Sequence, residues 1–224
     1  TALCLDTFLE EGVHYDDQGS MLRYILIVGR DLGLKTITLP FIENNEITYN
    51  FSIDRMITQI LSENTLLATK YGINLCLELD FNNELLLTLF NKIGRLDLNH
   101  KIGTTLDIGN LYYYGLSSCD SIVVKHVHVK DRLKTGESCL LGTGCSHYQK
   151  IINFLTSTQY NSQLEYTQKN YTLQCSRSEK FNDLEAEIEI VKKQKKIFEE
   201  MMEKYSYKPP ELIDKSLTLS NGPK

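Results

Sequence analysis

The chain has no apolar run approaching the roughly 20 residues that span a bilayer. Its first residues, TALCLDTFLEEG, offer neither a basic start nor a small-residue cleavage site. Membrane insertion and secretion are therefore not expected, and a cytoplasmic protein without a membrane partner is. A basic excess is missing too: the net charge is −5, whereas phosphate neutralisation needs a clustered basic surface. The strongest basic run, Lys192, Lys193, Lys195 and Lys196, lies between Glu185, Glu187 and Glu189 on one side and Glu199, Glu200 and Glu203 on the other. That pattern describes a solvated helix face and excludes a nucleic-acid partner. The six cysteines, at positions 4, 76, 119, 139, 145 and 175, lack paired metal-type spacing. They are expected as reduced, mostly buried thiols, because 224 residues build a core without staples. No internal repeat and no low-complexity linker divides the sequence. One domain over 1–207 is expected, followed by a polar tail, 208–224, that opens on Pro209 and Pro210.

What is present is an alternation of strand-like and helix-like segments, the pattern of βα units and a parallel sheet. Six strands are expected at 2–7, 36–42, 73–80, 102–108, 122–130 and 171–176. Helices are expected at 20–32, stopped by Gly33, and at 53–71, capped by Ser52 and stopped by Gly72. Others follow at 83–93, at 146–156 with Ser146 as cap, and at 183–205 with Asn182 as cap.

The strands are apolar at their starts and polar at their ends. IVVKHVHVKD, 122–131, ends in His128, Lys130 and Asp131; INLCLELD, 73–80, delivers Glu78 and Asp80; IGTTLDIGN, 102–110, delivers Asp107 and Asn110. In a (β/α) barrel such ends converge on one pocket. Two carboxylates and an imidazole meeting there suit a divalent metal of borderline hardness. For Glu78 or Asp107 alone, capping a helix or pairing with a lysine would explain the residue; both together with His128 favour a site. Lys130 either touches substrate oxygens or forms a surface ion pair, and Asp131 either orients neighbours or joins such a pair. Asn110 either holds Asp107 in place or lines the pocket. His126 is read as pointing to the side opposite His128, packed or at the surface, and not as a ligand. No chemistry is assigned to His14, His100 or His147. Gly142 and Gly144 precede a helix start whose free amides can receive a phosphate, although a plain loop-to-helix turn uses glycines equally.

LGLKTITLPFIENN (32–45), the CLELD run ending at Asp80, TLDIGN (105–110), VHVKDR (127–132), LLGTG (140–144) and LQCSR (173–177) occur in this order. Together they resemble the sugar phosphate isomerase/epimerase family, with its xylose isomerase-like TIM barrel. The resemblance spans Thr1 to about Met202 and aligns the first strand here with the third of the family barrel. It implies an α/β TIM barrel lacking the first two βα units in this chain. It further implies one divalent metal ion (Mn, Mg, Zn or similar) held by Glu78, Asp107 and His128, with the fourth position falling on Gln174 where metal-binding epimerases of the family carry Glu. The implied reaction is on a sugar or sugar phosphate: proton abstraction next to a carbonyl by Glu78, a metal-stabilised enediolate, and Lys130 beside it. Asn110, Arg132, Gly142, Gly144 and Arg177 would bind substrate, the two arginines by bidentate contacts. Tyr112, Tyr113 and Tyr114 either wall the sugar pocket or pack under a loop. Because a carboxamide is no base, Gln174 leaves three readings open: an isomerase or epimerase, a polyol dehydratase on the same fold, and a degenerate barrel that binds a sugar-like ligand or a partner. Sheet edges left exposed by two absent units point to a homodimer.

Overall fold

The computed structural model describes residues 2–5, 15–42, 51–79, 102–110, 124–156, 170–174 and 184–205. In chain order these form β1 (Ala2–Cys4), α1 (Tyr15–Asp31), β2 (Thr36–Phe41), α2 (Phe51–Tyr71), β3 (Asn74–Leu79), β4 (Ile102–Asp107), β5 (Val124–Val129), β6 (Asp131–Arg132), β7 (Ser138–Cys139), α3 (Tyr148–Thr156), β8 (Asn170–Leu173) and α4 (Leu184–Tyr205). One sheet runs β1-β2-β3-β4-β5-β8, with every neighbouring pair parallel. All six expected strands are in it. The antiparallel pair β6 and β7 was not expected.

Every residue of β2, β4 and β5 is buried, as a parallel sheet covered on both faces requires. One face carries the aliphatic core, in which Ile37, Leu39, Leu75, Leu77 and Leu106 are fully buried. Leu22 and Leu26 of α1 and Leu61 and Ala68 of α2 belong to the same core. The other face is polar and concave. Thr38 Oγ1 meets Thr105 Oγ1 at 2.8 Å, a contact between β2 and β4 that passes over the intervening β3. Only a sheet curled toward barrel geometry brings such side chains together.

The helices feed the sheet through one repeated device. After α1, Gly33 takes φ 69°, while Gly33 N donates to Arg30 O at 3.1 Å and Leu34 N to Gly29 O at 2.8 Å. After α2, Gly72 takes φ 70°, with Gly72 N on Thr69 O at 3.2 Å and Ile73 N on Ala68 O at 2.9 Å. Both ends are Schellman motifs, whose left-handed residue favours glycine, and each hands the chain to a buried apolar residue, Leu34 or Ile73, just before the next strand.

Helix starts differ from expectation. α1 begins five residues before Ser20, and Ser52 lies inside α2, which begins at Phe51. Ser146 does not cap α3 by its side chain: its carbonyl accepts from Tyr148 N at 3.0 Å, and its buried hydroxyl has no hydrogen-bond partner among the described residues. Along α4, Lys192, Lys195 and Lys196 pair with Glu189, Glu199 and Glu200 at 2.7, 3.7 and 3.9 Å, which is the solvated charged face read from the sequence. The C-terminal half of α4 packs its Phe198 ring 5.3 Å from Tyr171 on the outer face of β8. The expected helix at 83–93, the cap Asn182, Cys119, Cys175 and the tail at 208–224 lie outside the described residues. Cys76 is buried, and Cys4, Cys139 and Cys145 are half-buried; all four are free thiols. No helix among the described residues is long and apolar enough to cross a membrane.

Candidate active site

Register places the chemistry. Pro40 pairs with Glu78, Asp107 with His128, and His128 with Thr172, while Gln174 N donates to Val129 O at 3.0 Å just past β8. Glu78, Asp107 and His128 thus project from the C-terminal ends of three adjacent strands onto the concave face. Their ligand atoms lie within 4.8 Å of one another, and all three residues are buried. His128 Nδ1 is 3.3 Å from Glu78 Oε1, another contact that passes over a strand. Gln174 Nε2 is 3.1 Å from the same Nδ1. Turning that amide by half a rotation about its last bond would present Oε1 in place of Nε2 without moving any other atom. Two anionic oxygens, an imidazole nitrogen and an amide oxygen form a donor set that fits one divalent ion, hard or borderline.

The site also holds its own cation. Lys130 Nζ lies 2.5 Å from Asp107 Oδ2, and Asp107 Oδ1 accepts the Asn110 backbone N–H at 3.2 Å. The approach of Lys130 depends on Gly109, where a Cβ would come within 2.8 Å of Lys130 Cγ. Burial pushes the Asp107 carboxyl up, Lys130 opposes this, the Glu78 charge adds to it, and the net position is above the ordinary carboxylate range. Burial also pushes Glu78 up, but its hydrogen bond and charge interaction with His128, together with Lys130, outweigh that and hold it below the ordinary range. A lowered pKa keeps Glu78 ionised and so able to accept a proton at neutral pH, while reducing its strength as a base.

Several expectations need correction. His126 is not on the side opposite His128: the two rings meet edge-on with centroids 5.2 Å apart, because residues two apart on a strand share a face. His126 Nε2 is 3.0 Å from Thr172 Oγ1, so it belongs to the polar layer beneath the candidate ligands. The amides of Gly142 and Gly144 are not free for a phosphate, since both donate to Asp131 Oδ2 at 2.9 Å. Arg132 Nη1 donates to Gly136 O at 2.7 Å, which ties that nitrogen to the turn between β6 and β7, while its buried Nε has no hydrogen-bond partner among the described residues. Asn110 contributes its backbone N–H to Asp107, which supports the holding role. Asp80, Tyr112, Tyr113, Tyr114, His14, His100 and Arg177 lie outside the described residues.

Two contributors were missed by sequence reasoning, Gly109 and the loop geometry around Asp131. The signal for Gly109 was the glycine inside TLDIGN, whose need becomes visible only once Lys130 lies against it.

No protein-family model matches the chain, and no curated protein matches it. Solved structures do. A structure titled as an IolI protein with a binding zinc atom superposes with TM-score 0.67 at 15% identity, covering 92% of this chain and 76% of that one. A xylose isomerase-like TIM barrel protein from Mycobacterium smegmatis in complex with magnesium gives TM-score 0.63 at 13% identity, covering 92% and 74%. L-ribulose 3-epimerase gives 0.62 at 15% identity, covering 84% and 67%. The chain therefore has the xylose isomerase-like TIM barrel fold.

Proposed function

We propose that this chain is a metal-dependent isomerase or epimerase acting on a sugar through proton abstraction next to a carbonyl. The observation that carries the reading is the convergence of Glu78, Asp107 and His128, from three adjacent strand ends, within 4.8 Å in a buried site. The fold supports it, because this barrel assembles its chemistry at the strand C-termini, and so do the similar structures, which include a zinc-bound protein, a magnesium complex and a sugar epimerase.

Glu78, Asp107, His128 and Gln174 would hold the ion. When bound, a divalent metal supplies Lewis-acid polarisation of the neighbouring carbonyl and hydroxyl oxygens of a ketose. Glu78, held ionised by His128 and Lys130, is the base that removes the proton on the carbon beside the carbonyl. Asp107 is oriented by Asn110 N–H and Lys130. The Lys130 ammonium, beside Asp107, would favour negative charge developing on a sugar bound next to it. Gln174 cannot accept a proton as a second carboxylate would. It thereby favours one-base chemistry, a 1,2-shift or the dehydration of a polyol, over a two-base epimerisation.

The test is hydrogen exchange followed by NMR in D2O. With manganese or magnesium added, a panel of ketoses should exchange the hydrogen next to the carbonyl, and Glu78→Gln should abolish exchange while retaining the fold. Metal content measured on the purified protein should be close to one ion per chain. An absence of stoichiometric metal even after manganese is supplied, together with no exchange, would sink the enzyme reading in favour of a non-catalytic barrel that binds a sugar-like ligand or partner.

A further inference from the structure

We infer that His126 and Thr172 are positioning residues: the hydrogen bond between their side chains locks the register of β8 and thereby sets Gln174 against His128. The inference rests on the reading of Glu78, Asp107, His128 and Gln174 as a metal site, and makes its fourth position depend on the layer beneath.

β8 is the strand with least to fix it. It has four residues, ends the sheet order, and pairs with β5 alone among the described residues. Gln174 lies past its end, joined to β5 through the backbone by its N–H on Val129 O at 3.0 Å. On the outer face Tyr171 packs against Phe198 with centroids 5.3 Å apart, but apolar contact is non-directional and resists sliding weakly. The contacts on the concave face are directional. Thr172 Oγ1 is 3.0 Å from His126 Nε2, and Gln174 Nε2 is 3.1 Å from His128 Nδ1, each joining residues 46 positions apart. The lower contact therefore repeats the upper one, two residues down both strands.

The alternatives that a lock must exclude follow from strand geometry. A slip of β8 by one residue would turn Thr172 and Gln174 to the helix side. A slip by two, about 7 Å, would keep the face and carry Gln174 out of reach of His128. The upper contact cannot be its own lock, since Gln174 must turn its amide to offer an oxygen. The lower contact is free of that demand. His126 is 1% exposed, and its Nδ1 has no hydrogen-bond partner among the described residues. A buried nitrogen left unpaired costs stability that an apolar side chain would not, so the imidazole contributes direction here more than burial. The similar contact between Thr38 and Thr105 joins β2 to β4, strands held on both sides, and does not reach β8.

The experiment titrates the whole chain with manganese by calorimetry and follows urea unfolding in EDTA. Thr172→Val combined with His126→Phe replaces both partners by apolar groups of similar shape, so stability should stay near that of the parent. Manganese affinity should nevertheless fall about tenfold or more, the effect of removing an outer support of a metal ligand. Thr172→Ser keeps the hydroxyl and should bind within about threefold of the parent. In a Gln174→Ala background, itself weaker than the parent, the same pair of substitutions should change affinity by less than about threefold, because the lock acts through Gln174. If the double variant fails to fold, Thr172→Val alone serves in each comparison. Parent-like affinity in the folded double variant overturns the inference, as does an equal loss in the Gln174→Ala background or in Thr172→Ser. Gln174→Ala binding as tightly as the parent overturns it too, and all these outcomes leave a site of Glu78, Asp107 and His128 standing. Failure of the parent to bind manganese overturns the metal reading and this inference with it.

Discussion

Replacing Lys130 with methionine removes the built-in counter-ion of the site, and the consequence can be worked from its geometry. The ammonium lies 2.5 Å from Asp107 Oδ2, with side chains 12% and 1% exposed. At an effective dielectric of about 20 such a pair attracts by ~7 kcal/mol, and dehydrating the ammonium takes back several kcal/mol. The variant keeps the buried Asp107 carboxyl beside Glu78 without a partner, and breaking a pair in this way costs about 3 kcal/mol or more. In EDTA at pH 7, Lys130→Met should therefore unfold about 6–12 °C below the parent. The pH dependence has a definite sign. Asp107 already lies above its ordinary range, chiefly through burial, and loses in the variant the cation that opposed this. A carboxyl whose folded pKa exceeds the unfolded one takes up a proton on folding, so its stability is fully present below the unfolded pKa and is lost as pH rises through the folded one. The penalty should accordingly shrink by roughly half or more at pH 5. Manganese supplies positive charge at the same carboxylates and should restore more stability to the variant than it adds to the parent. The assay is thermal and urea unfolding with and without EDTA at both pH values. Parent-like stability in EDTA at pH 7, within about 0.5 kcal/mol, would refute the assignment of Lys130 as counter-ion.

Gln174→Glu adds a charge beside His128 and should tighten manganese binding by roughly tenfold or more in calorimetry; unchanged affinity would place residue 174 away from the ion. Burial and the neighbouring His128 lower the His126 pKa from 6.5 to about 4. As pH falls, the unfolded chain therefore takes the proton first, and the stability this histidine contributes above pH 6.5 is lost between there and pH 4. Between pH 7 and pH 5 in EDTA the parent should lose about 2 kcal/mol more than His126→Gln, read from urea midpoints. Gly144→Ala should destabilise by about 2 kcal/mol or more, because its Cβ overlaps Asp131; unfolding curves matching the parent would show that the loop yields freely.

Much of the fold was legible because its signals are local. Gly33 and Gly72 announced two helix ends, and the apolar runs around Ile37, Leu75, Leu106 and Val127 announced strands. The polar strand ends carrying Glu78, Asp107 and His128 were legible for the same reason, and here the structure brings them together. Donors arriving from far along the chain were not legible. Gly142 and Gly144 were read as amides facing an anion, and they do face one, but that the anion is Asp131, 11 and 13 residues earlier, is set by tertiary packing. The two-residue strands β6 and β7 are too short to show any periodicity. Nothing in sequence couples Arg132 Nη1 to the carbonyl of Gly136.

The direction taken by β5 shows how one residue decides the site. Val124 pairs with Thr104, whereas the next residue of β4, Thr105, pairs with His126, so Lys125 is an extra residue in the ladder. Thr104 alternates onto the side of Leu106, which lies in the aliphatic core together with Val124. Strict alternation from Val124 would have carried His126, His128 and Lys130 to that face, toward the helices. The bulge at Lys125 changes the phase and turns all three to the concave side, where Asp107 and Glu78 already point. Two single-residue deletions separate phase from sequence content. Removing Lys125 straightens the ladder and preserves the Asp107 and His128 pairing, so manganese affinity in the folded variant should stay within about tenfold of the parent. Removing Val127 leaves the bulge but returns His128 to the helix-facing side, and calorimetry should find manganese binding lost. Equal affinities in the two folded variants would contradict the assignment of Lys125 as the residue that sets the phase.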